Sequence, residues 1–176
     1  MGTEVKYILN TGEIAAGASK LMFDLFNAVG SGHKLYVRAI YIQPKTDVVQ
    51  TGLVSPRYDL FLTSAIGTSG TSVPYAPAVA TGAALIPTDS KQSGLPTGVT
   101  ARTVPTGGAT SAVWLGAAYP MSEETNAGTI LGAYENVLGE AAPIVINPGQ
   151  GLKALQGSVA SLNSYTFIVV FGVEEE

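Results

Sequence analysis

Glycine and proline divide this chain into short apolar runs at fairly even spacing, and this feature constrains its fold most strongly. The 176 residues include 21 Gly and 10 Pro, residue types that interrupt helices and strands and favour turns. Many short runs between turn residues are typical of an antiparallel β-sandwich or barrel rather than of a helical bundle. Because 46% of the residues are apolar, we expect one all-β domain over residues 1–176 with a single core.

Three runs carry the clearest strand pattern. Apolar and polar residues alternate over most of Lys34–Gln43 and over Arg57–Thr63, as in half-buried strands. Ser164–Val173 is apolar on both faces, so we expect it at the centre of a sheet, with its second face under a partner or a loop. Five shorter runs are further strand candidates: Val5–Leu9, Ala112–Leu115, Thr129–Tyr134, Pro143–Ile146 and Leu152–Gln156.

The last two of these runs are joined by a turn sequence, Asn-Pro-Gly-Gln-Gly, at residues 147–151. Pro148 presets φ for the second residue of a β-turn, and Gly149 can adopt the positive φ that a type II turn requires next. The sequence therefore predicts a β-hairpin at this place.

Residues 10–30 allow two interpretations. Ile14, Ala18, Leu21 and Leu25 fit a helical stripe that Gly30 could cap. Alternation at Leu21, Phe23 and Leu25, followed by the tight Gly-Ser-Gly stop at residues 30–32, indicates instead a hairpin that leads into the strand at Lys34. We favour the hairpin.

The segment 64–110 is rich in Gly, Ser, Thr, Ala and Pro and is longer than the ~12–15 residues of an ordinary loop. It is either a surface loop or an arm that lies across a neighbouring subunit. Its apolar side chains would be poorly placed in water, and they support the arm interpretation. These candidate interface residues are Val73, Tyr75, Val79, Leu85 and Ile86.

Charged residues make up 12% of the chain, about half of the ~25% that is usual in soluble domains. The surface must be largely neutral, either because Ser- and Thr-rich strands face water or because wide areas contact other subunits, and we favour assembly. The net charge is −4 and the cations are scattered, which argues against nucleic-acid binding. Without an export signal or a long apolar stretch, we expect a soluble protein with no membrane contact.

Enzyme motifs are absent from the sequence. There is no Cys and one His, His33, so thiolate catalysis and multi-histidine metal sites are excluded, and we expect His33 to be a solvated loop residue. Asp24, Asp47, Asp59 and Asp89 are far apart in sequence, and no pattern pairs them as acid and base. The Gly-rich stretches lack the lysine of a phosphate-binding loop. We therefore expect no enzyme and no cofactor.

Two parts of the chain resemble a known family. PIVINPGQGLKALQ followed by YTFIVVFGVEEE is similar to the C-terminal strands of the small jelly-roll decoration, or cement, proteins on the heads of tailed bacteriophages. LFNAVGSGHKLYVRAIYIQP is similar to the opening hairpin of the same group. The resemblance implies a jelly-roll sandwich, made in the host cytoplasm, that sits on the capsid surface as a homodimer or homotrimer and bridges major capsid subunits. The segment 64–110 departs from the shorter members as a long insertion.

One alternative is a trimeric receptor- or carbohydrate-binding jelly-roll module of a phage tail appendage. Such a module would need a groove lined by exposed aromatics, for which the candidates are Tyr75, Trp114, Tyr119 and Tyr134. Trp114 more often belongs to a core or a subunit interface than to a sugar platform, so we also count Trp114 and Tyr119 as interface candidates. An enzyme would need a carboxylate pair that only the fold could assemble.

Overall fold

The computed structural model of the protein describes residues 5–45, 55–76, 82–88, 94–107, 112–125, 128–138, 142–158 and 163–175, and these contain strands and no helix. The all-β prediction is confirmed. In chain order the strands are β1 Val5–Ala15, β2 Leu21–Asn27, β3 His33–Lys45, β4 Tyr58–Thr63, β5 Thr71–Ser72, β6 Ala84–Pro87, β7 Val99–Thr103, β8 Ala112–Ala118, β9 Met121–Thr125, β10 Gly128–Gly132, β11 Tyr134–Val137, β12 Ile144–Ile146, β13 Gln150–Gln156 and β14 Ser164–Glu175.

The first sheet is antiparallel with the strand order β11-β3-β14-β1-β6, and β12 pairs with β3 beside β11. The apolar C-terminal strand β14 lies between β1 and β3, as predicted. Phe167 and Val169 on one face of β14 are fully buried, while Ile168 and Val170 on the other face are half-buried. A strand with two apolar faces is thus in the centre of its sheet.

The second sheet is also antiparallel, with the strand order β5-β7-β2-β13-β4-β8. The remaining strands, β9 and β10, form a separate two-stranded ladder. Strand β8 therefore stands at one end of the second sheet.

Aromatic side chains hold the inner faces of the two sheets together. Phe23 of the second sheet packs on Phe167 of the first, with ring centroids 5.5 Å apart. Tyr58 contacts both Tyr165 and Phe167 at centroid distances of 5.3 and 5.1 Å, in edge-to-face arrangements that are favoured between aromatic rings. These rings belong to one core cluster formed by both sheets, which makes the fold a β-sandwich. The finer jelly-roll connectivity stays a prediction.

The turn predicted at residues 147–150 is present. Gln150 N donates a 3.0 Å hydrogen bond to Asn147 O, and Gly149 has a φ of +81°, as a type II turn requires. The predicted hairpin is nevertheless wrong, because β12 before the turn pairs in the first sheet and β13 after it pairs in the second. The turn carries the chain from one sheet to the other.

The strand interpretation of residues 10–30 is confirmed, but the hairpin with the strand that begins near Lys34 is wrong. Strand β2 pairs with β7 and β13 in the second sheet, whereas β3 pairs in the first. Stacked sheets lie about 10 Å apart, and the five residues 28–32 can span about 16 Å. The tight Gly-Ser-Gly stop is thus a crossing between sheets.

The segment 64–110 is neither a loose loop nor an extended arm where the structure describes it. It contributes β5 and β7 to one edge of the second sheet and β6 to one edge of the first. Val73 and Leu85, which we expected in an interface, lie in the core at 5% and 0% exposure. Their apolar side chains are satisfied within the chain, because the segment itself closes the end of the sandwich.

Candidate functional site

The edge strand β8 is the most unusual part of the surface. Within the described part of the chain, β8 pairs with β4 on one side and has no strand on the other. Such an edge presents unpaired backbone N–H and C=O groups to which another chain could add. Charged side chains are one common protection of natural edge strands, and no charged residue occurs from Thr103 to Ser122.

Exposed apolar side chains concentrate at this edge. Among the described residues, seven large hydrophobic side chains are exposed, and four of them lie between positions 113 and 121. We name these four the β8 surface: Val113 and Trp114, on the two faces of β8, and Tyr119 and Met121, which follow β8 along the chain. Clusters of exposed apolar residues mark sites of interaction more often than single ones do, so the β8 surface is the candidate site.

A polar network holds Trp114 in place. The indole Nε1 of Trp114 donates a 2.9 Å hydrogen bond to Asp59 Oδ1 on the neighbouring strand β4. Arg57 donates to the same oxygen through Nε at 2.9 Å and through Nη2 at 2.7 Å. Its hydrogen bond and charge interaction with Asp59 raise the pKa of Arg57, and Tyr119 adds to this effect. The ring is therefore fixed at the surface rather than packed inside.

A β-bulge limits how another strand could add to β8. The ladder with β4 shifts register between Leu60 and Phe61, so that Leu115 is an extra residue beside Gly116. Gly116 has a φ of +142° and no atom within 4 Å of the position that a Cβ would occupy. Because bulges disturb regular pairing, we expect contacts to use the side chains of the β8 surface more than a continuous strand ladder.

A second apolar area crosses the outer face of the first sheet. The strand register aligns one apolar residue from each of five neighbouring strands across this face. In order they are Ile86, Ile8, Val170, Ala39 and Val137. Ile8, Ile86 and Val170 are half-buried, and Val137 is exposed. Ala39, within the row, is buried. The row includes the second face of β14, for which we expected a cover.

The predicted interface residues are thus divided among several places. Trp114 and Tyr119 are exposed and belong to the β8 surface, and Ile86 belongs to the row on the first sheet. Tyr75 is half-buried and forms a β-bridge with the core residue Leu85. Val79 lies outside the described residues, as do Asp47 and Asp89.

His33 is not the solvated loop residue that we expected. It is the first residue of β3 and is half-buried, and its backbone O accepts a 2.8 Å hydrogen bond from Asn27 Nδ2. Among the described residues, no group of three or more His, Asp or Glu side chains could hold a metal ion. The same residues include no helix long and apolar enough to span a bilayer.

Comparison with known proteins identifies no relative. No protein-family model, no curated protein and no solved structure matches this chain.

Proposed function

We propose that this protein is a non-enzymatic structural component of a tailed-bacteriophage virion. It decorates the capsid surface as a homodimer or homotrimer and stabilises the shell by bridging major capsid subunits. The jelly-roll connectivity is part of this proposal. The proposed virion role is supported by the resemblance of the two sequence segments to head decoration proteins. It is also supported by the all-β sandwich and the low charge of the chain.

The observation that carries the proposal is the β8 surface. Interface centres are depleted of charge and enriched in Trp, Tyr and Met, and the β8 surface has this composition over an uncharged stretch of chain. Trp114 is already fixed by Asp59, so little side-chain entropy is lost when a partner covers it. Self-association through the β8 surface is a binding role that requires no catalytic step.

Capsid stabilisation then follows from mass action. A protein that binds the assembled shell more tightly than free subunits stabilises the shell by a free energy that increases with its concentration. Association into dimers or trimers adds multivalent attachment, which strengthens binding without new contacts.

Self-association is tested by the solution mass from light scattering over a dilution series that extends below micromolar. We expect a dimer or trimer for the natural sequence, and a dissociation constant at least roughly tenfold higher for Val113→Asp, because a charge would be buried without a partner. Val29→Asp is the matched control, since Val29 is 85% exposed in the β2–β3 connection, away from β8. A monomer at all concentrations would refute the homo-oligomer.

The virion assignment needs a separate test. Phage particles purified by density should contain this chain in a fixed ratio to the major capsid protein, as measured by quantitative mass spectrometry. Particles that lack the chain should lose their DNA at a lower temperature than complete particles. Absence of the chain from purified particles would refute the capsid role even if the protein is oligomeric.

A second candidate function is carbohydrate or receptor binding by a tail appendage. It is favoured by the position of Trp114 and Tyr119 beside the Asp59–Arg57 pair, since sugar sites combine aromatic faces with polar groups that fix orientation. Glycan-array binding that Trp114→Ala abolishes while the oligomer mass stays unchanged would support this function over the capsid role. Loss of the oligomer in Trp114→Ala, without glycan binding by the natural protein, would support assembly.

A further inference from the structure

Asp24 and Lys153 form a buried pair in the second sheet. The β2–β13 register places the two residues directly opposite each other, on the face of the sheet that points away from the core residues Phe23 and Leu152. Their side chains are only 1% and 4% exposed. A carboxyl group and an amine are thus removed from water together, which is costly for both charged forms.

A loop covers the pair and excludes solvent. The backbone N–H of Gly67 donates a hydrogen bond to Asp24 Oδ2. The Gly67 backbone lies so close to Pro105 that an added Cβ would be 2.7 Å from the Pro105 Cβ. On the other side of Asp24, the β7 residue Arg102 occupies the opposing position in the ladder. The site is therefore closed and holds one backbone donor at the carboxyl group.

The contact between the two side chains is not an ordinary salt bridge. Lys153 Nζ is 3.9 Å from Asp24 Oδ2, and in the described chain neither Nζ nor Asp24 Oδ1 has a hydrogen-bond partner. A buried ion pair is stable only when its remaining donors and acceptors are satisfied. The charged forms of Asp24 and Lys153 therefore lack the hydrogen-bond partners that would compensate for their burial.

Both groups are pushed towards their neutral forms. Burial raises the pKa of Asp24, against the opposing effects of the Gly67 N–H, Lys153 and Arg102. Burial also lowers the pKa of Lys153, against the opposing effect of Asp24. A neutral amine is a nucleophile and a protonated carboxyl group can lose water, so the neutral pair is the reactive pair.

We propose that Lys153 and Asp24 join in an intramolecular isopeptide bond that links β2 to β13. The Nζ lone pair attacks Cγ of the protonated carboxyl group, forming the C–N bond and placing the developing negative charge on Oδ2, where the Gly67 N–H donates. The Oδ1 hydroxyl then leaves as water with a proton taken from the nitrogen. One water is released, no electron is transferred, and no other reactant is needed.

The fold supplies two conditions that this reaction lacks in solution, which are the proximity of the reacting groups and the exclusion of water. Two groups held side by side react as if at very high concentration, and a closed site disfavours the return of water. The bond would join two strands that are far apart in sequence, and so restrict the unfolded chain as other cross-links do. This inference does not depend on the proposed function.

The test is the intact mass of the purified, denatured protein. We expect a mass lower than that of the sequence by one water molecule, and a protease digest that contains one branched peptide joining the segments around Asp24 and Lys153. Lys153→Arg and Asp24→Ala should have the full mass of their sequences. Lys45→Met is the matched control, because Lys45 forms an exposed 2.6 Å ion pair with Glu13 and its loss should leave the missing water unchanged.

Three results would overturn the proposal. One is a full sequence mass for the folded natural protein after prolonged incubation at several pH values. Another is loss of water that persists in Lys153→Arg, since the dehydration would then be elsewhere. The third is a digest in which the Asp24 and Lys153 peptides are recovered separately. The mass and the digest of the natural protein decide the question even if a variant fails to fold.

Discussion

Thr11 Oγ1 accepts a buried 2.9 Å hydrogen bond from the backbone N–H of Phe167. Thr11 lies at a bulge, because the β1–β14 ladder shifts register between Asn10 and Glu13. The same hydroxyl donates at 2.9 Å to Gly12 O. A single side chain therefore repairs an interruption in the central pair of the first sheet.

Thr11→Val should destabilise the protein by about 1–3 kcal/mol, because it leaves a buried N–H without an acceptor. Thr11→Ser keeps the hydroxyl and should cost clearly less. The free energy of unfolding from urea titration measures both variants. No loss of stability in Thr11→Val would show that the Thr11 hydroxyl does not stabilise the bulge, and an equal loss in Thr11→Ser would show that the methyl group contributes as much as the hydroxyl.

Tyr58→Phe should leave stability unchanged or raise it. The Tyr58 hydroxyl is buried without a hydrogen-bond partner among the described residues, and burial raises its pKa. Tyr7→Phe is the matched comparison, because the Tyr7 hydroxyl donates a 3.2 Å hydrogen bond to Gly94 O, and its loss should cost about 0.5–1.5 kcal/mol. Thermal unfolding measures the stability of both variants. A larger loss of stability in Tyr58→Phe than in Tyr7→Phe would contradict the prediction.

Lys153→Met should make stability fall as the pH rises. It prevents the proposed bond and removes a cation that lowers the pKa of Asp24, so that burial raises this pKa further above its ordinary 3.8. Between 3.8 and the raised pKa, the folded state binds more protons than the unfolded state, and the free energy of unfolding decreases with pH.

The measurement is urea unfolding of Lys153→Met at several pH values from about 4 to 8. The double variant Asp24→Asn with Lys153→Met is the control, because it lacks the carboxyl group. The difference between the two variants should grow with pH, and parallel curves would show that Asp24 does not titrate in the fold.

Gly67→Ala should destabilise the protein by about 1–3 kcal/mol, because its methyl group would overlap Pro105 and press on Asp24 Oδ2. Gly82→Ala has open space at the same position and should change stability by less than about 1 kcal/mol. Melting temperatures compare the two. Similar values would mean that the loop over Asp24 moves easily.

Several local features could be predicted from the sequence because they depend on neighbouring residues. The central position of β14 follows from its two apolar faces, and the turn at residues 147–150 follows from Pro148 and Gly149. The predicted pairings failed because a turn specifies a local reversal of the chain, not the sheet that the next strand joins. Alternation at Leu21, Phe23 and Leu25 identified a strand but not its partners.

The structure divides the predicted interface residues by their exposure. Trp114 and Tyr119 were expected in an interface and are exposed at the edge strand, whereas Val73 and Leu85 were expected there and lie in the core. Both sets have the same apolar character in sequence. Their burial differs because Leu85 lies in β6, which pairs with β1, and Val73 N donates a hydrogen bond to Ala101 O of β7, while no described strand covers the open side of β8.

The sequence by itself determined that the chain forms short antiparallel strands, since alternation and turn residues act over a few positions. The tertiary structure alone decided which strands share a sheet and which edge stays open. It also placed Asp24 opposite Lys153 and sealed both beneath Gly67. Contacts of this kind join distant parts of the chain, and no pattern within one segment carries the information.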